Sequence, residues 1–118
     1  MKANSSDFDE AQIAVIGLGY VGLPLAVEFS KIRSVIGFDI NNKRIHELSQ
    51  GIDNTLEVQE SEFKNLDLIF TDRVSDIQKC KIFIVTVPTP INENKLPDLE
   101  PLITTTKSIS SILKKGDL

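Results

Sequence analysis

Strand and helix signals alternate along the whole chain, which predicts an α/β fold: a doubly wound parallel sheet, truncated before its fifth strand. Two further observations support this class. The strand segments are short, apolar and rich in β-branched residues, with no polar alternation, as suits strands covered on both faces. The first of them runs through three glycines, Gly17, Gly19 and Gly22, directly into a helix-period pattern.

Residues 1–11 are polar and acidic, with little to bury, and are expected to form a disordered leader ahead of one domain over residues 12–118. Gln12 to Ile16 is the first strand. A helix from about Tyr20 to Lys31 follows, with Val21, Leu25 and Phe29 as its inward stripe, widened by Ala26, and with Pro24 tolerated in the first turn. Ser34 to Phe38 is the second strand and ends in Asp39. Asn41 is placed to cap a helix over 42–50, which turns Ile45 and Leu48 inward and stops at Gly51. An acidic amphipathic helix is expected over 58–66. Leu68 to Thr71 is the third strand, followed by a short helical turn over 74–79. Lys81 to Val87 is the fourth strand and the strongest β signal in the chain. The segment from Pro88 to Pro97 holds three of the five prolines and is expected to be a loop. A last helix is expected over 99–115, capped by Asp98, with Leu102, Thr106, Ile109 and Leu113 facing inward and Gly116 as its stop. Asp117 and Leu118 read as the approach to a fifth strand, which predicts a fragment of a longer protein.

Composition narrows the function. The chain has 118 residues, 41% hydrophobic and 25% charged, enough for one domain with its own core. Thirteen basic against seventeen acidic residues give a net charge of −4, which offers no nucleic-acid surface. Cys80 and His46 are the single cysteine and the single histidine, so neither a disulfide framework nor a Cys/His metal site is expected. Cys80, just ahead of a strand, reads as a small apolar filler, and His46 as a solvated helix residue. No apolar run reaches the length of a membrane span, and the N-terminus lacks the apolar core of a signal peptide, so a cytoplasmic location is expected.

The glycines supply the chemistry. A buried strand that turns into a helix aims backbone N–H groups at one point, and the helix dipole makes that point attractive to a pyrophosphate. In a turn of this Rossmann type, Gly17 allows the tight reversal, Gly19 lets the backbone approach the pyrophosphate, and Gly22 lets helix and strand pack closely. Leu18, Tyr20 and Val21 belong to the same turn. Asp39 lies twenty positions after Gly19, at the end of the second strand, where its carboxylate can accept hydrogen bonds from an adenosine ribose. A 2′-phosphate beside that carboxylate would be repelled by a few kcal/mol at intermediate dielectric, roughly, which predicts NAD over NADP. Arg44 pulls the other way, because a guanidinium five residues on attracts phosphate. Pro88 and Thr89, after the fourth strand, fall at the carboxyl end of the sheet where ligands bind, and Thr71 occupies the same level on the third strand. Tyr20 has no visible acid or base partner. No catalytic group is evident, and no GK[ST] P-loop follows the glycines. S-adenosylmethionine and flavin sites fit the pattern less well.

These segments together resemble one family. GLGYVGLPLA, GFDINNKRI and the VPTP loop running to LPDLEPL resemble the N-terminal domain of UDP-glucose/GDP-mannose dehydrogenases, from about Gln12 to the last residue. The wording VPTPIN…PDLEPLI is most similar to the bacterial branch acting on UDP-N-acetylhexosamines, which includes the Vi-antigen and O-antigen sugar dehydrogenases. The resemblance implies a two-step, four-electron oxidation of a nucleotide sugar's C6 hydroxymethyl to a carboxylate, with two NAD, in surface polysaccharide biosynthesis. It implies that Tyr20 and Val21 meet the pyrophosphate through their backbone, that Asp39 and Arg44 hold the adenosine ribose, and that Thr71 and Thr89 line the cofactor groove. Phe70 departs from the Ser or Thr common before Thr71. The family's nucleophilic Cys, with its catalytic Lys, Asn and Asp, lies further along a longer chain, so no catalytic residue is assigned here, and Cys80 does not match the nucleophile's motif. The fragment is expected to be inactive alone, with the UDP-sugar bound mainly by later domains and the full-length protein a homodimer. Two other readings stay open: a dehydrogenase of the 6-phosphogluconate or hydroxyacid type, and a non-catalytic nucleotide-binding module.

Overall fold

A computed structural model describes residues 11–118, so the leader expected over 1–11 lies outside the described residues except for Ala11, which is buried in the core. Four strands form one parallel sheet: β1 (Ile13–Ile16), β2 (Val35–Phe38), β3 (Leu68–Thr71) and β4 (Ile82–Val85), in the spatial order β3-β2-β1-β4. Ile16, the last residue of β1, stands between Phe38 and Val85, so the strands end level with one another.

Alternation along β1 divides the core in two. Ile13 and Val15 face one layer, where they meet α1 (Gly22–Ser30), α2 (Asn42–Ser49) and Val58. Ala14 and Ile16 face the other, with Ile77, Cys80 and Ile109 of α3 (Glu100–Ser110). Both faces are therefore covered, and β1 and β2 are buried at every residue, as expected of a doubly wound sheet.

The helices depart from their expected stripes. α1 starts at Gly22, not Tyr20, and buries Leu23, Ala26, Val27 and Ser30, while Val21 is exposed and Leu25 and Phe29 only half-buried. The cause is Gly22, whose missing side chain lets the helix press on the turn carbonyl of Gly17; that contact sets the rotational phase of all that follows. α2 keeps its expected face, with Asn41 capping the Arg44 N–H. It ends in a Schellman motif: Gly51, at φ +78°, donates to Leu48 and Ile52 donates to Glu47.

The helix expected over 58–66 is a single 3-10 turn, Glu60–Phe63, and Leu56 and Asn65 on either side take positive φ, which a continuing helix excludes. A second 3-10 turn, Val74–Ile77, stands where a helical turn was expected. α3 is shorter than the predicted 99–115: Leu99, not Asp98, holds the cap position, with Asp98 accepting the Glu100 N–H in the turn before it, and at the other end the helix already stops at Ser110. Of its expected stripe only Ile109 is buried; Leu102 and Thr106 are exposed, and Leu113 lies beyond the helix and is exposed as well. At the chain's end, the Leu118 N–H donates to Lys81 and its carbonyl accepts from Phe83, both at 2.7 Å, the pairing of a parallel neighbour beside Ile82.

Candidate functional site

The chain winds outward from β1 to β2 and β3, then crosses back to lay β4 on the other side of β1. A crevice opens at that reversal, beyond the carboxyl ends of β1 and β4. It forms a cleft of about 590 Å³ between the glycine turn, the end of β2 and the start of α3. Gly17, Leu18, Gly19, Asp39, Arg44 and Pro88 line it, and so do Asn41, Asp98, Glu100 and Thr104.

The turn is built by contact on one side and openness on the other. At Gly17 (φ +93°) an added Cβ would press on the Thr86 backbone at 2.9 Å, and at Gly22 it would lie 1.7 Å from the Gly17 carbonyl oxygen. At Gly19 a Cβ would meet nothing within 4 Å. The N–H groups of Gly19, Tyr20 and Val21 find no acceptor among the described residues, as at the free start of a helix. A group bearing negative oxygens fits this arrangement: open space beside Gly19, unpaired donors around it, and a helix dipole behind them.

Two side chains grip the peptide groups of the turn. Asp39 accepts the Leu18 N–H at 2.9 Å with one carboxylate oxygen and the Asn41 N–H at 2.9 Å with the other. Arg44 donates to the Leu18 carbonyl from Nε (2.9 Å) and from Nη2 (2.7 Å). Its Nη1 reaches Asp53 at 2.7 Å, and Nη2 also reaches the Thr55 hydroxyl at 3.4 Å. Asp53 is buried and accepts, in addition, from the Thr55 N–H and hydroxyl and from the N–H groups of Glu57 and Val58. Burial by itself pushes its carboxyl upward, but the hydrogen bonds from Thr55, Arg44 and Val58 outweigh that and hold its pKa down at about 2.

The remaining candidates sit elsewhere. Tyr20 and Val21 are exposed beside the turn, outside the cleft lining, and Gly22 is buried beneath it. Thr71 is buried at the end of β3, where its hydroxyl donates to Asp76 and accepts from the Arg73 N–H. That hydrogen bond from Thr71, more than the nearby Arg73 charge, pulls the Asp76 carboxyl below its usual range. Thr89 is exposed and also outside the lining. Cys80 is buried, and burial, reinforced by Asp117, pushes its thiol up to about 11, so it is no nucleophile at neutral pH. His46 is exposed.

Sequence reasoning missed Thr86 and Asp53. The Thr86 hydroxyl donates to the Gly17 carbonyl at 2.7 Å and approaches that of Ile16 at 3.1 Å, tying the end of β4 to the start of the turn. The neighbouring VPTP signal points instead to Pro88 and Thr89, two and three residues further along. Asp53 lies in an irregular loop with no motif around it, and only the folded loop reveals five donors converging on one carboxylate. Among the described residues no helix is long and apolar enough to cross a membrane, and no acidic, His or Cys cluster is arranged to hold a metal.

The family model for the UDP-glucose/GDP-mannose dehydrogenase family, NAD binding domain, matches residues 11–118. The chain belongs to this family. Its members include similar proteins over nearly the whole chain: a UDP-N-acetyl-D-glucosamine 6-dehydrogenase of Pseudomonas aeruginosa is 61% identical over 92% of the chain. One of the same name from Salmonella typhi is 52% identical over 93%. In both cases the chain spans 26% of the relative's length. The solved UDP-D-ManNAc dehydrogenase of Pyrococcus horikoshii superposes with a TM-score of 0.82 at 32% identity, over 91% of this chain and 27% of that one. The match confirms the Rossmann-like class read from the sequence and makes NAD the cofactor of the domain.

Proposed function

We propose that this chain is the NAD-binding part of a UDP-N-acetylhexosamine 6-dehydrogenase, which oxidises the sugar's C6 hydroxymethyl to the uronic acid for surface polysaccharide biosynthesis in the cytoplasm. The similarity to two UDP-N-acetyl-D-glucosamine 6-dehydrogenases supports this substrate class. The observation that supports the cofactor's position is the cleft at Gly19, open where a Cβ would stand and next to backbone N–H groups that no described residue engages.

In this reading the pyrophosphate lies against Gly19, Tyr20 and Val21 through their backbone, with Gly17, Leu18 and Gly22 shaping the turn. Asp39 accepts from the adenosine ribose, with Arg44 behind it, and Pro88 borders the cleft. Thr89 and Thr71 belong to the groove's outer margin, Thr71 through its hold on Asp76. Bound here, NAD would supply the hydride acceptor for oxidation of the sugar carbon. This chain's contribution is to bind and orient: its lone thiol is buried and its pKa is pushed up to about 11, and the chain spans 26% of its relatives' length, which supports placing the nucleophile and the UDP-binding surface in the remainder of a longer, homodimeric enzyme.

Titration calorimetry with NAD and NADP tests the reading. NAD should bind the chain and NADP should bind at least about tenfold more weakly, since a 2′-phosphate would approach Asp39 while Arg44, the one basic side chain lining the cleft, is already paired with Asp53. Equal or tighter NADP binding would refute the placement at Asp39. Asp39→Asn should narrow the difference. The chain alone should release no NADH from UDP-N-acetylglucosamine and NAD.

A further inference from the structure

The cleft has a single basic side chain in its lining, Arg44, and that side chain is already committed. A guanidinium has five N–H donors. In Arg44, Nε and Nη2 point to the Leu18 carbonyl, Nη2 also reaches Thr55, and Nη1 faces Asp53. A phosphate is received best by two adjacent donors of the fork acting together. Arg44 can offer that fork only by leaving Leu18 or Asp53.

What holds it is a carboxylate with no freedom of its own. The Asp53 side chain is wholly buried, and the N–H groups of Thr55, Glu57 and Val58 fix it in place. It thus offsets the charge of Arg44 and keeps the guanidinium at the Leu18 carbonyl. The other charged groups lining the cleft, Asp39, Asp98 and Glu100, are all negative. With Arg44 neutralised, no basic side chain lining the cleft is left to attract an additional phosphate.

We propose that Asp53, which does not line the cleft, determines its cofactor choice: by pinning Arg44 to the Leu18 carbonyl, it withholds the cleft's basic side chain from the 2′-phosphate of NADP. Asp53 acts through Arg44 and is a positioning residue. The inference rests on the reading that this cleft takes NAD.

Asp53→Asn removes the charge that restrains Arg44 and keeps the side chain's size. Titration of wild-type and variant chains with both nucleotides should show the NADP-to-NAD ratio of dissociation constants falling about tenfold in the variant, through tighter NADP. Adding Arg44→Gln to Asp53→Asn should abolish that gain, which loss of packing alone would not do. A folded Asp53→Asn chain that binds NAD with the wild-type ratio would overturn the proposal while leaving the NAD site intact. Wild-type chain that binds neither nucleotide would instead overturn the site itself. Should Asp53→Asn fail to fold, the Arg44 Nε–H resonance of the wild-type chain decides. It should exchange slowly with solvent and stay unmoved by millimolar inorganic phosphate, and a phosphate-dependent shift would overturn the proposal.

Discussion

Gly22 and Gly19 sit three residues apart in one turn, and the structure gives them opposite jobs. A methyl at Gly22 would drive into the Gly17 carbonyl oxygen at 1.7 Å and the Thr86 hydroxyl at 2.4 Å, both already bonded to each other. Neither can retreat without moving β4 or the turn. Gly22→Ala should therefore cost more than about 3 kcal/mol in stability, measured by urea unfolding. A methyl at Gly19 meets open space, and the backbone there needs no positive φ. Gly19→Ala should leave the urea midpoint unchanged or slightly raised, by up to ~1 kcal/mol, because alanine has less unfolded-state freedom to lose. Its effect belongs to binding: a methyl projecting toward the pyrophosphate should weaken NAD at least about tenfold. Loss of stability without loss of binding at Gly19 would contradict the assignment of that space to the cofactor.

The loop over 53–58 behaves as an element although it has no regular structure, since its shape is written in donors converging on Asp53. This makes it sensitive to acid. The carboxyl's pKa is 3.8 when exposed and about 2 here, so the folded state gains stability from its ionised form. That gain is complete above the unfolded value and disappears as pH falls through the folded one, in a window from about pH 4 to pH 2. The shift corresponds to on the order of 2 kcal/mol. Thr55 donates to Asp53 from both N–H and hydroxyl, and Thr55→Val removes the second. The folded pKa should rise, and urea midpoints measured at descending pH should begin to fall earlier than in the wild type; coincident curves would remove Asp53 from the acid response. Such a loop is hidden from sequence reading, because Asp53 gains its meaning only when Val58 closes back on it. Elements held by nearest neighbours were legible: the Asn41 cap, the Gly51 stop, and the apolar runs of β1 and β2. Helix faces were less so. The Val21, Leu25, Phe29 stripe is a valid period, but the phase of α1 is fixed by Gly22 against Gly17, a contact between a helix and a turn that no periodicity contains. Leu102 misleads in α3 for a related reason: it is apolar yet exposed, since only the end of that helix reaches the sheet, at Ile109.

At the scale of the molecule, the sheet has two edges, β3 and β4, and β4 is covered on its outer side only in part. The described residues form a slab of 45 × 37 × 21 Å, with a radius of gyration of 14.7 Å. A compact domain of this length would have about 13 Å. The IFIV sequence of β4 is as apolar as that of β1, yet Ile82, Phe83 and Ile84 are only half-buried and Val85 is exposed. Leu118 pairs with the first half of its outer edge, through Lys81 and Phe83. Further along, Val85 keeps its outward N–H and C=O groups unpaired among the described residues, next to apolar side chains. An edge with this character and no lysine or proline within it is a template for another strand. The chain alone should therefore self-associate as its concentration rises, with a sedimentation coefficient that grows from the monomer value. Val85→Lys places a charge on that edge, where a second strand would have to bury it, and should hold the chain monomeric over the same range. A wild-type chain that stays monomeric at high concentration would mean that Leu118 and the flanking loop already protect the edge. Self-association undiminished by Val85→Lys would move the contact to β3, where Ile69 is exposed on the opposite edge.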